Sequence, residues 1–128
     1  MSKKILQIVE TAYRATLEEQ DDPVLWLVTS LRGNGADTDV LLRGNAVNYV
    51  VRDQDASGLQ FGDRRQTQPP RLADDVRRLD EKGVRVFYVE DDAKRRGIAR
   101  DEIIDGPTPI AAHAFAELIE GYQQVWHW

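Results

Sequence analysis

The chain has 128 residues, of which 41% are hydrophobic and 30% are charged, as in an ordinary globular domain. This length fits one domain, residues 1–128, which buries about two-thirds of the surface of its unfolded chain. The net charge of −5 disfavours partners that require a basic face, so neither nucleic acid nor an anionic membrane is expected. Because the sequence contains no cysteine, it excludes disulfides, thiolate metal sites and thiol-based mechanisms.

The sequence shows no signal for export or membrane insertion. A run of about 18 apolar residues, as a membrane span needs, is absent. The N-terminal sequence MSKKILQIVET lacks the apolar core and the cleavage site of a secretory signal. We therefore expect a cytoplasmic protein.

Predicted strands and helices alternate from the start of the chain. The first strand is KKILQIV, residues 3–9, and a polar stretch that is mainly loop follows it. The next apolar run suits a buried strand or a buried helix. An Asp before Pro23 and the Gly-Asn-Gly sequence after Arg32 favour a helix, because they are typical start and stop signals. A second strand, TDVLLRG, and a short helix from Asn45 come next.

The middle of the chain contains a long segment without periodicity. Residues 54–70 are rich in Gly, Gln and Pro. A loop of this length in a compact domain is typically a functional lid, an interface arm or a mobile segment. After it, an apolar stripe of Leu72, Val76 and Leu79 predicts a helix over residues 71–82.

The C-terminal part completes the alternation. It reads as a strand VRVFYVE, a short helix DDAKRRG, a short strand at 108–110, a helix over about 111–120 and a final strand QVWHW. Strands that alternate with helices imply βαβ units with right-handed crossovers. We therefore predict an α/β fold whose mostly parallel sheet has about five strands.

Three carboxylates follow the third strand, whose tip is Val89. Ligands of open α/β sheets usually bind at such a junction. Glu90, Asp91 and Asp92 could hold Mg²⁺ or Ca²⁺, or one of them could act as a general base. Alternatively, Asp91 or Asp92 caps the next helix while all three stabilise its positive end. Basic residues at the other end of that helix favour the capping interpretation.

A second polar group lies in the sequence LLRGNAVNY. Arg43, Gly44 and Asn45 connect a strand end to a helix start, where free N–H groups can hold an anion. Asn48 lies one helical turn further on the same side. The alternative is an Asn cap beside a solvated Arg.

The first strand ends in ETAYR, which brings Glu10, Thr11 and Arg14 to the same edge of a parallel sheet as Arg43 and Glu90. These side chains form either a binding pocket or a set of neighbouring salt bridges. The candidate ligand-binding residues are Glu10, Arg14, Arg43, Asn45, Asn48, Val89 and Glu90. In this hypothesis Arg43 and the helix start at Asn45 hold a small anion, and Glu90 either orients it or repels competing anions.

The two histidines and the C-terminal tryptophans complete the set of candidates. His113 and His127 match no metal-ligand spacing, and no Ser-His-Asp pattern with a nucleophile elbow is present, so we expect no metal, cofactor or catalytic residue. Strand alternation in YQQVWHW places Trp126 and Trp128 on one face and His127 on the other. The tryptophans either fill the local core or form an oligomer interface.

The segment LDEKGVRVFYVEDDAKRRGI resembles the DsrE/DsrF family of small α/β sulfur-relay proteins. In that family a helix ending in Gly, an apolar strand and a tip residue precede a short helix with RRGI or ARGI. The resemblance continues in DVLLRGNAVNYVV and in IIDGPTPIAAHAFAELIEGYQQVWHW, so that it spans about residues 3–128. Relay members such as the TusD type carry a persulfide on a cysteine at the strand tip. That position is Val89 here, and valine cannot form a persulfide.

The resemblance implies a three-layer Rossmann-like (DsrE/F-like) fold, a homotrimer or hexamer, and docking to partner proteins. We therefore expect a cysteine-less, non-catalytic member that acts as an oligomeric binding or accessory component linked to sulfur metabolism. A second hypothesis is a small hydrolase or isomerase in which Glu90 is the general base and Arg43 stabilises an anionic substrate; it requires a raised Glu90 pKa. A third is a purely structural oligomer that depends on Trp126.

Overall fold

A computed structural model describes residues 3–13, 22–55 and 57–128. Its strands are β1 (Lys4–Val9), β2 (Asp37–Leu42), β3 (Gln60–Phe61), β4 (Arg64–Arg65), β5 (Val86–Val89), β6 (Thr108–Ile110) and β7 (Gln124–His127). Its α-helices are α1 (Pro23–Gly33), α2 (Leu72–Glu81), α3 (Glu90–Arg95) and α4 (Phe115–Glu120). Shorter 3₁₀ segments span Gly44–Val50, Arg100–Glu102 and Ala112–Ala114.

Five strands form one parallel sheet in the order β6-β5-β2-β1-β7. This confirms the predicted α/β fold with a mostly parallel sheet. The apolar runs of β1 and β2 are almost completely buried, as expected for central strands that are covered on both faces. The predicted short strand at 108–110 is β6.

Helices cover the two faces of the sheet unequally. On one face, α1, α2 and the segment Gly44–Val50 enclose the larger core cluster, which includes Val28, Val40, Val76 and Leu79. On the other face, α4 packs on a smaller cluster of Leu6, Ile8, Leu41 and Val89. The three layers of the predicted fold are therefore present, but the layer that contains α4 is thin.

Two buried carboxylates, those of Asp22 and Asp39, hold neighbouring segments of the fold together. Asp22 caps α1, because its Oδ1 accepts hydrogen bonds from the backbone of Val24 and Leu25. Its Oδ2 accepts a 2.8 Å hydrogen bond from the Tyr49 hydroxyl. At the amino-terminal edge of the sheet, Asp39 accepts hydrogen bonds from the Arg85 guanidinium and backbone N–H.

Asp39 also accepts a 2.6 Å hydrogen bond from the hydroxyl of Tyr122, which follows α4. The buried carboxylate therefore connects β2 to the chain segments that precede β5 and follow α4. Burial, followed by this hydrogen bond, raises the pKa of Tyr122 well above its usual value.

Several local predictions were wrong. The helix expected at Asn45 is a 3₁₀ segment that begins at Gly44, and the helix expected over 111–120 is split into Ala112–Ala114 and α4. The long 54–70 segment contains the antiparallel hairpin β3–β4.

Within the described part of the chain, no helix is long and apolar enough to cross a membrane.

The predicted side-chain cap of α3 was also wrong. Helix α3 begins at Glu90, directly after the strand, and no side chain caps it. The carboxylate of Asp91 instead accepts a hydrogen bond from the N–H of Ala112, and that of Asp92 accepts one from Gly44. Because α3 begins one residue earlier than predicted, Asp91 and Asp92 lie within its first turn rather than at the cap position.

Candidate functional site

The candidate site lies at the carboxyl ends of the central strands. Strands β1, β2 and β5 end side by side, so Glu10, Arg43 and Glu90 emerge at one edge of the sheet. Open α/β sheets usually bind ligands at this edge. The predicted placement of these three residues is therefore correct, although their contacts differ from those expected.

Glu10 is the centre of a chain of polar contacts. Its Oε1 lies 3.7 Å from Nε of Arg43, and its Oε2 lies 2.9 Å from Nε2 of His127. The Arg43 guanidinium also lies over the ring of Phe115, 5.2 Å from its centroid. His127 was not among the predicted site residues. Its signal was its position in the last strand, but only the pairing of β7 with β1 places it beside Glu10.

The amide expected to hold an external anion already binds a carboxylate of the chain. Gly44 N–H donates a 2.8 Å hydrogen bond to Oδ2 of Asp92. The other oxygen of Asp92 accepts a 3.0 Å hydrogen bond from Arg95. Gly44 has a φ of +56°, and a Cβ at this position would lie 3.2 Å from Cγ of Glu10. A side chain is therefore disfavoured here by both backbone conformation and space.

The two predicted asparagines contact the neighbouring backbone and α3. Asn45 is exposed, and its Oδ1 accepts a 2.8 Å hydrogen bond from the Arg96 guanidinium. Asn48 is half-buried and donates from its amide to the backbone oxygen of Asn45. These contacts connect the 3₁₀ segment to the end of α3 rather than directing both amides toward a common ligand.

Glu90 is engaged with cations that are separate from Arg43. Its carboxylate accepts a hydrogen bond from Arg100 and pairs with Lys94 at 3.2 Å. The hydrogen bond from Arg100 is the largest cause of a lowered Glu90 pKa, and Lys94 contributes next. The hydrolase or isomerase hypothesis required the opposite shift, since a general base at neutral pH needs a raised carboxyl pKa.

The strand tip itself is apolar and enclosed. Val89 is only 5% exposed and packs in the smaller core cluster with Leu6 and Leu41. Among the described residues, no three His, Asp or Glu side chains are grouped so that they could hold a metal ion. The side chain at the tip, Val89, therefore offers no nucleophile.

Three predicted residues remain, namely Arg14, Trp126 and Trp128. Arg14 is outside the described residues. Trp128 packs against the larger core, and its indole N–H donates a 2.9 Å hydrogen bond to the buried amide of Gln7. Trp126 is half-buried, on the same side of the strand as Trp128. Trp128 is therefore a partly buried residue at the margin of the core, and the role of both tryptophans in an oligomer interface stays a prediction.

The parallel sheet and its covering helices define a small Rossmann-like α/β protein, with its candidate site at the strand tips. The chain belongs to the DsrE/DsrF-like family, a family related to sulfur relay, whose model matches residues 4–126. Val89 therefore stands at the tip of the third central strand in a family member that has no cysteine.

Solved structures share this fold. The ychN protein from E. coli superimposes with a TM-score of 0.73 at 19% identity, covering 100% of both chains. BT1422 from Bacteroides thetaiotaomicron has a TM-score of 0.67 at 14% identity, covering 98% of this chain and 95% of its own. MTH1491 from Methanobacterium thermoautotrophicum has a TM-score of 0.61 at 17% identity, covering 98% and 99%. No functionally curated protein is significantly similar in sequence to this chain.

Proposed function

We propose that this protein is a non-catalytic, cytoplasmic member of the DsrE/DsrF-like family that assembles as a homotrimer or hexamer. It acts as a binding or accessory component in sulfur metabolism by docking to a protein partner. The observation that carries this proposal is the buried apolar Val89 at the strand tip of a chain without cysteine. A persulfide relay needs a thiol at this position, so the fold is used here for a different purpose.

The contacts around the strand tip support a role in docking to a protein partner rather than a catalytic role. Arg43 is paired with Glu10, and the Gly44 N–H is paired with Asp92. A small anion that approached Arg43 would therefore compete with carboxylates already in place. A protein partner can instead recognise the half-exposed surface of Glu10, Arg43 and His127 without displacing them.

Native mass spectrometry after incubation with polysulfide tests the assembly and the absence of relay chemistry together. We expect a trimer or hexamer whose mass does not increase by sulfur atoms. A Val125→Cys variant is the positive control, because this position is 39% exposed and an accessible thiol takes up sulfur. A cyanide-labile sulfur adduct on the wild-type protein would contradict the non-catalytic assignment, and a monomer would contradict the proposed assembly.

Affinity capture with matched charge variants tests the docking surface. The Glu10→Arg variant places a second cation beside Arg43 and should lose a partner that the wild type retains. The Glu117→Arg variant makes the same charge change at an exposed position of α4 and should retain it. Equal loss in both variants would show that the strand-tip surface is not the docking site.

A further inference from the structure

A short hairpin presents large apolar side chains to solvent. The arm, defined as residues 58–66, contains β3 and β4 and a tight turn at Gly62. Leu59 is 55% exposed and Phe61 is 58% exposed, which makes them two of the most exposed large apolar residues in the described chain. Arg64 and Arg65 lie on the facing strand and are also exposed.

The base of the arm is firmly anchored. Gln66 is 7% exposed, and its side-chain oxygen accepts a 3.0 Å hydrogen bond from the N–H of Leu59. The N–H of Gln66 donates a 2.8 Å hydrogen bond back to the oxygen of Leu59. Gly58 has a φ of +90°, and a Cβ there would lie 2.9 Å from the backbone oxygen of Gln66. The exposed Phe61 is therefore held by a defined hairpin.

A groove is lined by the segments that precede and follow the arm in the sequence. Two adjoining cavities of about 370 and 300 Å³ share Pro69, Arg71 and Asp74 in their linings. The walls of the larger cavity come from residues 53–55, just before the arm, and 69–74, just after it. The groove therefore lies at the start of α2.

The groove combines apolar and acidic surfaces. Pro69, Pro70 and Leu72 supply apolar lining, Asp53 and Asp55 supply carboxylates, and Arg71 supplies a cation. In the same lining, the third carboxylate is already paired, because Asp74 lies 2.7 Å from the Arg77 guanidinium. Two carboxylates against one cation leave the groove with an acidic excess, which fits an arm that carries two arginines, one aspartate and exposed Leu and Phe side chains.

Backbone strain is concentrated in this groove. Within the described ranges, Tyr13 and Asp53 are the non-glycine residues with a positive φ, at 61° and 58°. Both line the larger cavity. Such conformations cost free energy and persist at sites whose geometry is used.

We propose that the arm of one copy docks into the groove of a second copy of this chain. Phe61 and Leu59 pack on the proline-lined wall, and Arg64 and Arg65 pair with the carboxylates of residues 53 and 55. The chain carries both halves of this complementary pair, and the exposure of Phe61 shows that the arm does not fill its own groove. The inference rests on the proposed homo-oligomer and names one of its interfaces.

Single introduced cysteines test the contact without background from other disulfides, because the native chain has no cysteine. A Gln60→Cys variant labels the arm and an Arg71→Cys variant labels the groove, and both positions are exposed. Mixing the two proteins under mild oxidation should give a disulfide-linked heterodimer as the main cross-linked product. Replacing Arg71→Cys by Glu117→Cys, on the opposite face of the sheet, should reduce the yield at least tenfold.

Adding Phe61→Ser to the Gln60→Cys protein should abolish the heterodimer and should lower the oligomeric mass in sedimentation velocity. Circular dichroism should show an unchanged fold, because Phe61 is outside the core. An oligomer that keeps its mass in Phe61→Ser and gives equal cross-linking to both partner positions would overturn the arm contact while leaving the proposed function intact. A wild-type monomer would overturn both.

Discussion

The N–H of Gly44 donates a 2.8 Å hydrogen bond to the carboxylate of Asp92, which joins the segments that follow two neighbouring strands, β2 and β5. The start of a helical segment attracts anions because its N–H groups are unpaired. Here α3 supplies the anion from within the chain. The strand tips are therefore held in place without any ligand.

Replacing Asp92 tests this internal contact. The Asp92→Ala variant should lose roughly 1.5–3 kcal/mol of unfolding free energy, as expected for a hydrogen bond to a charged group. The same variant should gain stability when sulfate is added, since sulfate can occupy the vacated Gly44 N–H and the neighbouring Arg43. Urea unfolding with and without sulfate measures both effects. Asp63→Ala, at an exposed carboxylate in the β3–β4 turn, should show no sulfate effect, and an equal effect there would contradict a specific site.

The glycine on the other side of this contact should be equally sensitive. Gly44→Ala forces a residue with a Cβ into the left-handed region, at roughly 1–2 kcal/mol, and also presses on Glu10. Gly97→Ala is the matched control, because Gly97 has a similar φ of +69° and no atom lies within 4 Å of the position that a Cβ would occupy. In thermal unfolding, the wild type should have the highest Tm, Gly97→Ala a lower one and Gly44→Ala the lowest. Equal stability of the two variants would show that contact with Glu10 is unimportant.

Alkaline pH should destabilise the fold through its tyrosines. Burial, followed by the hydrogen bond to Asp22, raises the pKa of Tyr49, and Tyr122 is raised in the same way beside Asp39. The pKa values of both tyrosines in the folded state exceed the unfolded value of about 10. Their contribution to the free energy of unfolding is therefore complete below about pH 10 and is lost as the pH rises toward the folded pKa values.

Urea titrations between about pH 8 and pH 11 measure this loss. Tyr122→Phe should flatten the decline, because the variant has no phenol to ionise at this position. Tyr13→Phe, at a residue that is 47% exposed, should flatten it less. A decline that is unchanged in Tyr122→Phe would mean that other groups cause the alkaline loss.

A cysteine placed at the strand tip should react slowly. Val89 is 5% exposed, so a Val89→Cys thiol would be enclosed by Leu6 and Leu41 rather than presented to a sulfur donor. We expect alkylation by iodoacetamide at least tenfold slower than that of Val125→Cys, whose position is 39% exposed. Mass spectrometry of timed samples gives both rates. Comparable rates would show that the tip is accessible and that only its residue type prevents relay chemistry.

Local signals in the sequence were sufficient for much of the fold. The start of α1 follows from Asp22 before Pro23, and the apolar runs of β1, β2 and β5 identify the central strands. The β3–β4 hairpin was missed although Gly62-Asp63 is a typical two-residue turn signal. The surrounding polar composition obscured it.

Contacts of the candidate site depend on strand order and could not be read from the sequence. Glu10 and His127 are 117 positions apart, and Gly44 and Asp92 are 48 apart. The placement of Glu10, Arg43 and Glu90 at one edge was predictable because parallel strands end together. The hydrogen-bond and ion-pair partners of these residues were not predictable, because they depend on which strands are neighbours in the sheet.

The pairing of β1 with β7 also constrains how the protein is made. Ile8, near the beginning of the chain, pairs with His127, so one side of β1 has no partner until translation has reached β7. Domains begin to fold from the N-terminal side during synthesis, and an unpaired strand edge invites pairing with other chains. The nascent protein is therefore most exposed to misassociation on the ribosome, and substitutions in β7 should lower the yield of folded protein in the cell more than they lower its final stability.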